Sequence, residues 1–225
     1  DSAVYASVGK FFRMPNFRNL YYASAVMVPN PNLSPESGWN YEAGYKYDSK
    51  GRRFTASVFH TDVSDQIVGI KGTDGRSYQT NAASYRNTGV ELSYAQDVDA
   101  HFSFNTGITY GNPERKYKEG QDWVRALGRY QMTAGVNYEN RDLTAALSLS
   151  YWGDRGYNSS SGERTRFYPI SGNLLVSNLH VAYRFTPDLT GTFDVDNLFN
   201  RRDYTNSGTY RTVGRSFLVG VNYSF

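Results

Sequence analysis

Three stretches of this 225-residue chain, 111–125, 153–173 and 199–213, gather the side chains best suited to hold an anion. They carry Arg115, Lys116, Lys118, Arg125, Arg155, Arg164, Arg166, Arg201, Arg202 and Arg211 against Glu114, Glu119, Asp122, Asp154, Glu163 and Asp203. Interleaved with these charges are Tyr117, Trp123, Tyr157, Phe167, Tyr168, Tyr204 and Tyr210. A guanidinium presents a donor fork that matches carboxylate or phosphate and lies flat on a ring, so this set suits an anionic, ring-bearing small molecule. The candidate ligand-binding residues are Tyr21, Tyr22, Arg115, Lys116, Trp123, Arg155, Tyr157, Arg164, Arg166, Tyr168, Arg202, Tyr210 and Arg211. Phosphates at a membrane surface would attract the same arginines, and rings at a membrane–water interface need no ligand. The residues leave both readings open.

Catalysis finds no support. Asp154 and Asp203 stand in these stretches without a histidine, and general-base chemistry needs its groups within hydrogen-bond reach. No nucleophile–base pair, phosphate-cradling glycine loop or metal-ligand spacing is present, and Ser159-Ser160-Ser161-Gly162 reads as a loop tip. His60, His101 and His180 fall inside alternating runs or beside a tight turn and read as wall residues rather than ligands. Cysteine is absent, so there is no disulfide framework and no thiolate metal site. A net charge of +3 without a basic, ring-interleaved cluster argues against nucleic acid. No resident cofactor is expected.

The elements that would position these stretches are strands. Ten runs alternate with period two, near 2–13, 36–48, 52–70, 77–96, 100–111, 126–140, 143–153, 174–186, 189–199 and 212–225. Short connections at 48–51, 96–99, 139–142 and 186–188 alternate with long ones at 14–35, 112–125, 154–173 and 200–211, and a hairpin tip lies near 72–75. This is the plan of an up-and-down transmembrane β-barrel, with short periplasmic turns and longer outer loops. Trp39, Tyr41, Ala43, Tyr45 and Tyr47 share one face, as do Phe102, Phe104, Thr106, Ile108 and Tyr110, and Tyr130, Met132, Ala134, Val136 and Tyr138. Those faces are expected against lipid, while Glu42, Lys46 and Arg184 point to a wet or plugged lumen. The faces of 52–63 and 189–199 stay unassigned. Twenty Tyr and thirteen Phe suit two interfacial girdles. No apolar run approaches the ~18 residues of a helical span.

The last run places Phe217, Val219, Val221, Tyr223 and Phe225 on one face and ends the chain on an aromatic. It resembles the C-terminal signal by which outer-membrane barrels are recognised for insertion, and implies the barrel-assembly machinery as a partner.

A wider resemblance rests on ordered motifs. Phe12-Arg13-Met14-Pro15, Asn19-Leu20-Tyr21, Asn30-Pro31-Asn32-Leu33-Ser34-Pro35-Glu36 and Asn40-Tyr41-Glu42-Ala43-Gly44 are followed by Phe59-His60-Thr61-Asp62-Val63-Ser64-Asp65-Gln66-Ile67. Tyr85-Arg86-Asn87-Thr88-Gly89-Val90-Glu91-Leu92, Asp196-Asn197-Leu198-Phe199-Asn200 and Gly214-Arg215 complete the order. The whole chain resembles the TonB-dependent outer-membrane receptors. The resemblance implies an all-β fold forming the last ten strands of a twenty-two-stranded barrel in the outer membrane, with the plug domain, the TonB-contacting segment and the first strands upstream of residue 1. It also implies active import energised through TonB, with an iron complex as cargo, a ferric siderophore before haem, and contacts with lipopolysaccharide and outer-membrane lipid. Haem receptors of the family carry a histidine between the first two boxes, whereas 16–29 holds Tyr21, Tyr22 and Met27 and no histidine. A cobalamin receptor of the same family and a passive porin are the alternatives. Cut from its other strands, such a wall would leave edges at 2–13 and 212–225 that are not viable in lipid, unless the ten strands closed on themselves.

Overall fold

The computed structural model of the chain describes residues 1–161, 164–170, 172–203 and 211–225, with the side chains of all of these except 159–161, 164 and 165. Strand β1 spans Ser2–Arg13, helix α1 Phe17–Tyr21, β2 Met27–Val28, β3 Glu36–Ser49, β4 Arg52–Lys71, β5 Ser77–Asp97 and β6 Phe102–Lys116. Then come β7 at Val124–Arg125, β8 at Tyr130–Glu139, β9 at Leu143–Gly153, β10 at Gly156–Ser161, β11 at Arg164–Pro169, β12 at Leu174–Thr186, β13 at Leu189–Asp196 and β14 at Ser216–Tyr223. Among the described residues, ten strands follow one another as an antiparallel meander, β1-β3-β4-β5-β6-β8-β9-β12-β13-β14. Strands β2 and β7 add to β5 and β6, and β10 pairs with β11.

These ten are the alternating runs of the sequence, with β13 and β14 shorter than their runs, at Leu189–Asp196 and Ser216–Tyr223, and two further boundaries moved. The run ending at 111 continues to Lys116, because β5 is long enough to pair Ser84 with Lys116. The run starting at 126 breaks before Tyr130: Gly128 lets the backbone of Arg155 come close, and a Cβ there would lie 3.3 Å from Arg155 Cα.

Directly opposed residues in a ladder share a face, so the register carries each face across the sheet. One row reads Val4, Tyr45, Ala56, Leu92, Ile108, Met132, Tyr151 and Leu175. On the opposite face a neighbouring row reads Lys46, Thr55, Ser93, Gly107, Thr133 and Ser150. One face is thus apolar and the other polar through the meander. The register also settles the two runs left unassigned: Phe54, Ala56 and Val58 join the apolar face, as do Phe193 and Val195, while Ser57, Phe59 and Thr61 join the polar face with Thr192, Asp194 and Asp196. Phe59 is accommodated there by Gly89 opposite it, where a Cβ would fall 2.5 Å from the ring and 2.2 Å from Tyr110 O.

The rows climb. Starting from Ser49 at a tight turn, one row passes through Arg52, Gln96, Phe104, Val136, Leu147, Leu179 and Val195 to Phe217, six positions from the end of β14 at Tyr223. Six residues rise ~20 Å along the strand while the row crosses about 38 Å of sheet, so the strands lean by roughly 30°, near the lean of membrane barrels. Aromatic pairs mark two levels on the apolar face: Phe102–Tyr138 at 4.7 Å near the tight turns and Tyr110–Tyr130 at 5.2 Å toward the long connections. Eight residues separate the levels on β6, or about 23 Å of height at that lean, matching the apolar band of an outer-membrane wall.

Candidate functional site

At the end of the sheet that carries the long connections, β4, β5 and β6 outgrow their neighbours, and side-chain amides bind the segment 14–35 onto β5. The Asn19 side chain donates to Gln79 Oε1 at 2.8 Å and Asn30 donates to the Gln79 carbonyl at 3.2 Å. Ser34 N donates to Asn81 Oδ1 at 2.8 Å, while Asn81 Nδ2 donates to the carbonyls of Ser34 and Asp65. Glu36, 5% exposed, accepts from Arg13 Nε at 2.9 Å and from the backbone N–H of Ile67 at 2.6 Å. The boxes at 12–15, 19–21 and 30–36 therefore act as a brace between the first strand pair and the long β4–β5 hairpin. Tyr21 and Tyr22 stay more than half exposed on this brace, with Arg18 lying 5.8 Å from the Tyr22 ring.

Beside it, the polar face opens into a cleft of ≈ 400 Å³ lined by Tyr85, Asn87, Thr109, Pro113, Arg129, Gln131, Trp152, Arg155 and Leu174. Arg115 opposes Tyr85 and stacks its guanidinium 5.9 Å from that ring and 5.7 Å from Tyr117. Asn87 Oδ1 and Arg115 Nε are buried and have no hydrogen-bond partner among the described residues. Arg155 is 8% exposed and reaches the Gly172 carbonyl at 3.4 Å. Burial pushes its pKa down from the ordinary guanidinium value, and the nearby Asp203 carboxylate opposes that shift.

The structure separates the candidates by face. Arg115 and Lys116 are neighbours on β6 and therefore point oppositely: Arg115 joins the polar face, whereas Lys116 and Trp123 lie on the apolar side beside Arg86. Tyr157 and Tyr168 stack at 5.5 Å across β10 and β11, and Arg166 shares their face. The other face of this hairpin is anchored: Asn158 accepts from the Tyr117 hydroxyl at 3.0 Å, and Arg125 packs 3.6 Å from the Phe167 ring while bonding Asp154 at 2.7 Å. Arg202 lies against Gly214, and Arg211 is exposed. The side chain of Arg164, together with Tyr204 and Tyr210, lies outside the described residues. Sequence reading passed over Tyr85, Asn87, Gln131 and Trp152. Alternation placed Gln131 on the polar face, but only the register shows that β5, β8 and β9 bring these four residues together.

Further down the polar face, Tyr5 donates to Glu42 at 2.5 Å, with Lys46, Ser57 and Glu91 lining the same hollow. His180 pairs with Asp194 at 2.6 Å on this face, His60 with Thr88 Oγ1 at 2.7 Å on the other, and His101 closes a turn against the Glu139 carbonyl. At the far edge, Asn197 sits at φ 52° and is 8% exposed. It donates to the carbonyls of Arg201 and Val213 at 2.7 and 2.8 Å and accepts from Arg201 N at 2.9 Å, while fully buried Ser177 takes the N–H groups of Leu198 and Phe199. Beyond it, β14 exposes Phe217, Val219, Val221 and Tyr223, and the Tyr223 and Phe225 rings lie 6.4 Å apart.

This order of strands, boxes and faces agrees with one family. Residues 1–198 match the family described as TonB dependent receptor-like, beta-barrel. The chain belongs to the TonB-dependent receptors. Solved structures of similar fold include the copper transporter OprC, with 20% identity and a TM-score of 0.77 over 100% of this chain and 37% of that one. A variant of the ferric enterobactin receptor PfeA from Pseudomonas aeruginosa has 19% identity and a TM-score of 0.77 over 100% and 38%. The siderophore receptor PirA from Acinetobacter baumannii has 17% identity and a TM-score of 0.77 over 100% and 39%. The chain thus spans less than two fifths of the length of these proteins, and at such identities the likeness is one of fold. The family comprises receptors rather than enzymes.

Proposed function

We propose that this chain is the C-terminal wall of an outer-membrane receptor that takes up a metal chelate, a ferric siderophore before haem, with import driven through TonB contacts made by a plug region outside these residues. The apolar face meets lipid and the polar face lines the lumen, where the Glu42–Glu91 hollow receives the plug. One observation carries the choice of cargo: at the lumenal mouth, Arg115 lies between Tyr85 and Tyr117 with its Nε unmet, beside the unmet oxygen of Asn87. A guanidinium stacked on two rings favours an anion with planar groups, and the Asn87 oxygen suits a donor on the same guest, which is the character of a chelate rather than a bare cation. The similar structures, a ferric enterobactin receptor and a siderophore receptor among them, support the same class.

The test is iron uptake by cells relying on the full-length receptor. Arg115→Ala is expected to weaken chelate uptake about tenfold, the effect of losing one charge-assisted contact, without lowering the amount of receptor in the membrane. Uptake affinity unchanged across a panel of anionic chelates would overturn the assignment.

A further inference from the structure

The hairpin β10–β11 grows from the wall between two residues in the left-handed region, Asp154 at φ 49° and Gly172 at φ 81°. Its root helps to line the cleft through Arg155 and Gly156, and Ile170 N returns to the Arg155 carbonyl at 3.0 Å. From there the hairpin leans back along the rim, where β11 touches β7 and β10 reaches β4. One side chain holds both root and arm. Arg125 on β7 donates through Nη1 to the Asp154 carboxylate at 2.7 Å and through Nη2 to the Asp154 carbonyl at 3.3 Å. The same guanidinium lies 3.6 Å from the centre of the Phe167 ring, and the Arg125 carbonyl accepts from the Asn158 side chain at 3.5 Å. Only 17% of the Arg125 side chain is exposed, so it offers a guest little surface.

We propose that Arg125 is a positioning residue for the cargo cleft: without touching the guest, it fixes Asp154 and the hairpin so that Arg155 and Gly156 stay in the cleft wall. The inference rests on the reading that this cleft receives the cargo. A residue with a Cβ at φ 49° is strained, and the Arg125 bonds to both the carboxylate and the carbonyl of Asp154 offset that strain. Arg129, which lines the cleft, lies 3.8 Å from the same carboxylate, so Asp154 joins the clamp to the cleft itself. The face of the hairpin that carries Tyr157, Tyr168 and Arg166 is opposite to the one carrying Asn158 and Phe167. Its orientation therefore depends on Phe167 staying on the guanidinium.

The experiment titrates the purified full-length receptor with a ferric tris(catecholate), an anionic chelate bearing planar rings, and follows hydrogen exchange of the Ile170 amide without chelate. Arg125→Gln is expected to weaken chelate binding about tenfold and to quicken Ile170 exchange about tenfold, the effect of losing one charge-assisted contact. Arg125→Lys, which keeps the charge on Asp154, should restore most of both. Asp154→Asn removes that charge but leaves a residue that tolerates this φ, so it should match Arg125→Gln, and the two together should do no more than either alone. Binding weakened by Arg125→Gln but not by Asp154→Asn would mean that Arg125 meets the guest itself and would overturn the positioning role. Exchange unchanged in both variants would overturn the clamp. Arg115→Ala is run beside them. A parent that binds no chelate, or an Arg115→Ala receptor that binds as well as the parent, sinks the cargo reading, whereas loss in Arg115→Ala with none in Arg125→Gln sinks only the role of Arg125.

Discussion

Replacing Asn197 isolates what the box at 196–200 does. Its carboxamide makes three hydrogen bonds, to the Arg201 carbonyl, the Val213 carbonyl and Arg201 N, and its backbone holds φ 52°. Losing three such bonds at a buried site costs about 3 kcal/mol, and an alanine Cβ in the left-handed region adds about 1 kcal/mol. Asn197→Ala is therefore expected to lower the local opening free energy by about 4 kcal/mol and Asn197→Gly by about 3 kcal/mol, since glycine adopts this φ without strain. Asn197→Asp should be at least as harmful as alanine, because it turns a lone pair toward two carbonyls that had received N–H groups. The amides of Leu198 and Phe199, which donate to Ser177, report the opening by hydrogen exchange. At 1.4 kcal/mol per tenfold, their exchange is expected to quicken nearly a thousandfold in the alanine variant and just over a hundredfold in the glycine variant. Equal rates in the two would refute the strain component, and less than a tenfold change in both would refute the role of the carboxamide.

Other expectations follow from single sites. Asp99 sits in an exposed turn and accepts from the N–H groups of His101 and Phe102, which hold its carboxyl below the usual carboxylate value. Its contribution is present above the unfolded pKa and is lost as pH falls through the lower folded value, so exchange at those two amides should rise only in acid below the ordinary aspartate range. Asn in its place should remove that pH dependence, and a rise already near pH 5 would contradict the assignment. Gly89→Val would drive side-chain atoms into Phe59 and the Tyr110 carbonyl, so assembled receptor should fall severely in a heat-modifiability assay. Normal yield would show that β4 and β5 can part there. Phe225→Ser should slow insertion while leaving chelate affinity intact in the receptor that does assemble. Arg166→Glu should weaken chelate capture severalfold, and unchanged uptake would remove the β10–β11 hairpin from the ligand path.

The strands were legible because period two survives wherever each face meets one solvent, as at Tyr130 to Tyr138. It failed at 52–63 because Phe59 faces inward above a glycine thirty residues away in sequence, and because the pairing shifts between Val63 and Gln66. It failed at 189–199 because Asp194 and Asp196 are answered by His180 and Ser216 on other strands. The cation-rich stretches were visible, but their faces were not. The fifth run was ended at 111, whereas β6 continues through Pro113, paired with Asn87, and so sends Arg115 inward and Lys116 outward. The brace at 14–35 was seen as a set of boxes. Its meaning depended on Gln79 and Asn81, which no local pattern singles out.

The long, in-register antiparallel ladders also define how the wall bears load. A pull directed along the pore, as when something is drawn through the lumen, acts nearly parallel to the strands. It stretches the thirteen paired positions of β3 with β4, and their counterparts in each later pair, all together in shear. Tension across the strands would instead act at right angles to them and can open a ladder one rung at a time. The sheet is stiff along its strands and weak across them.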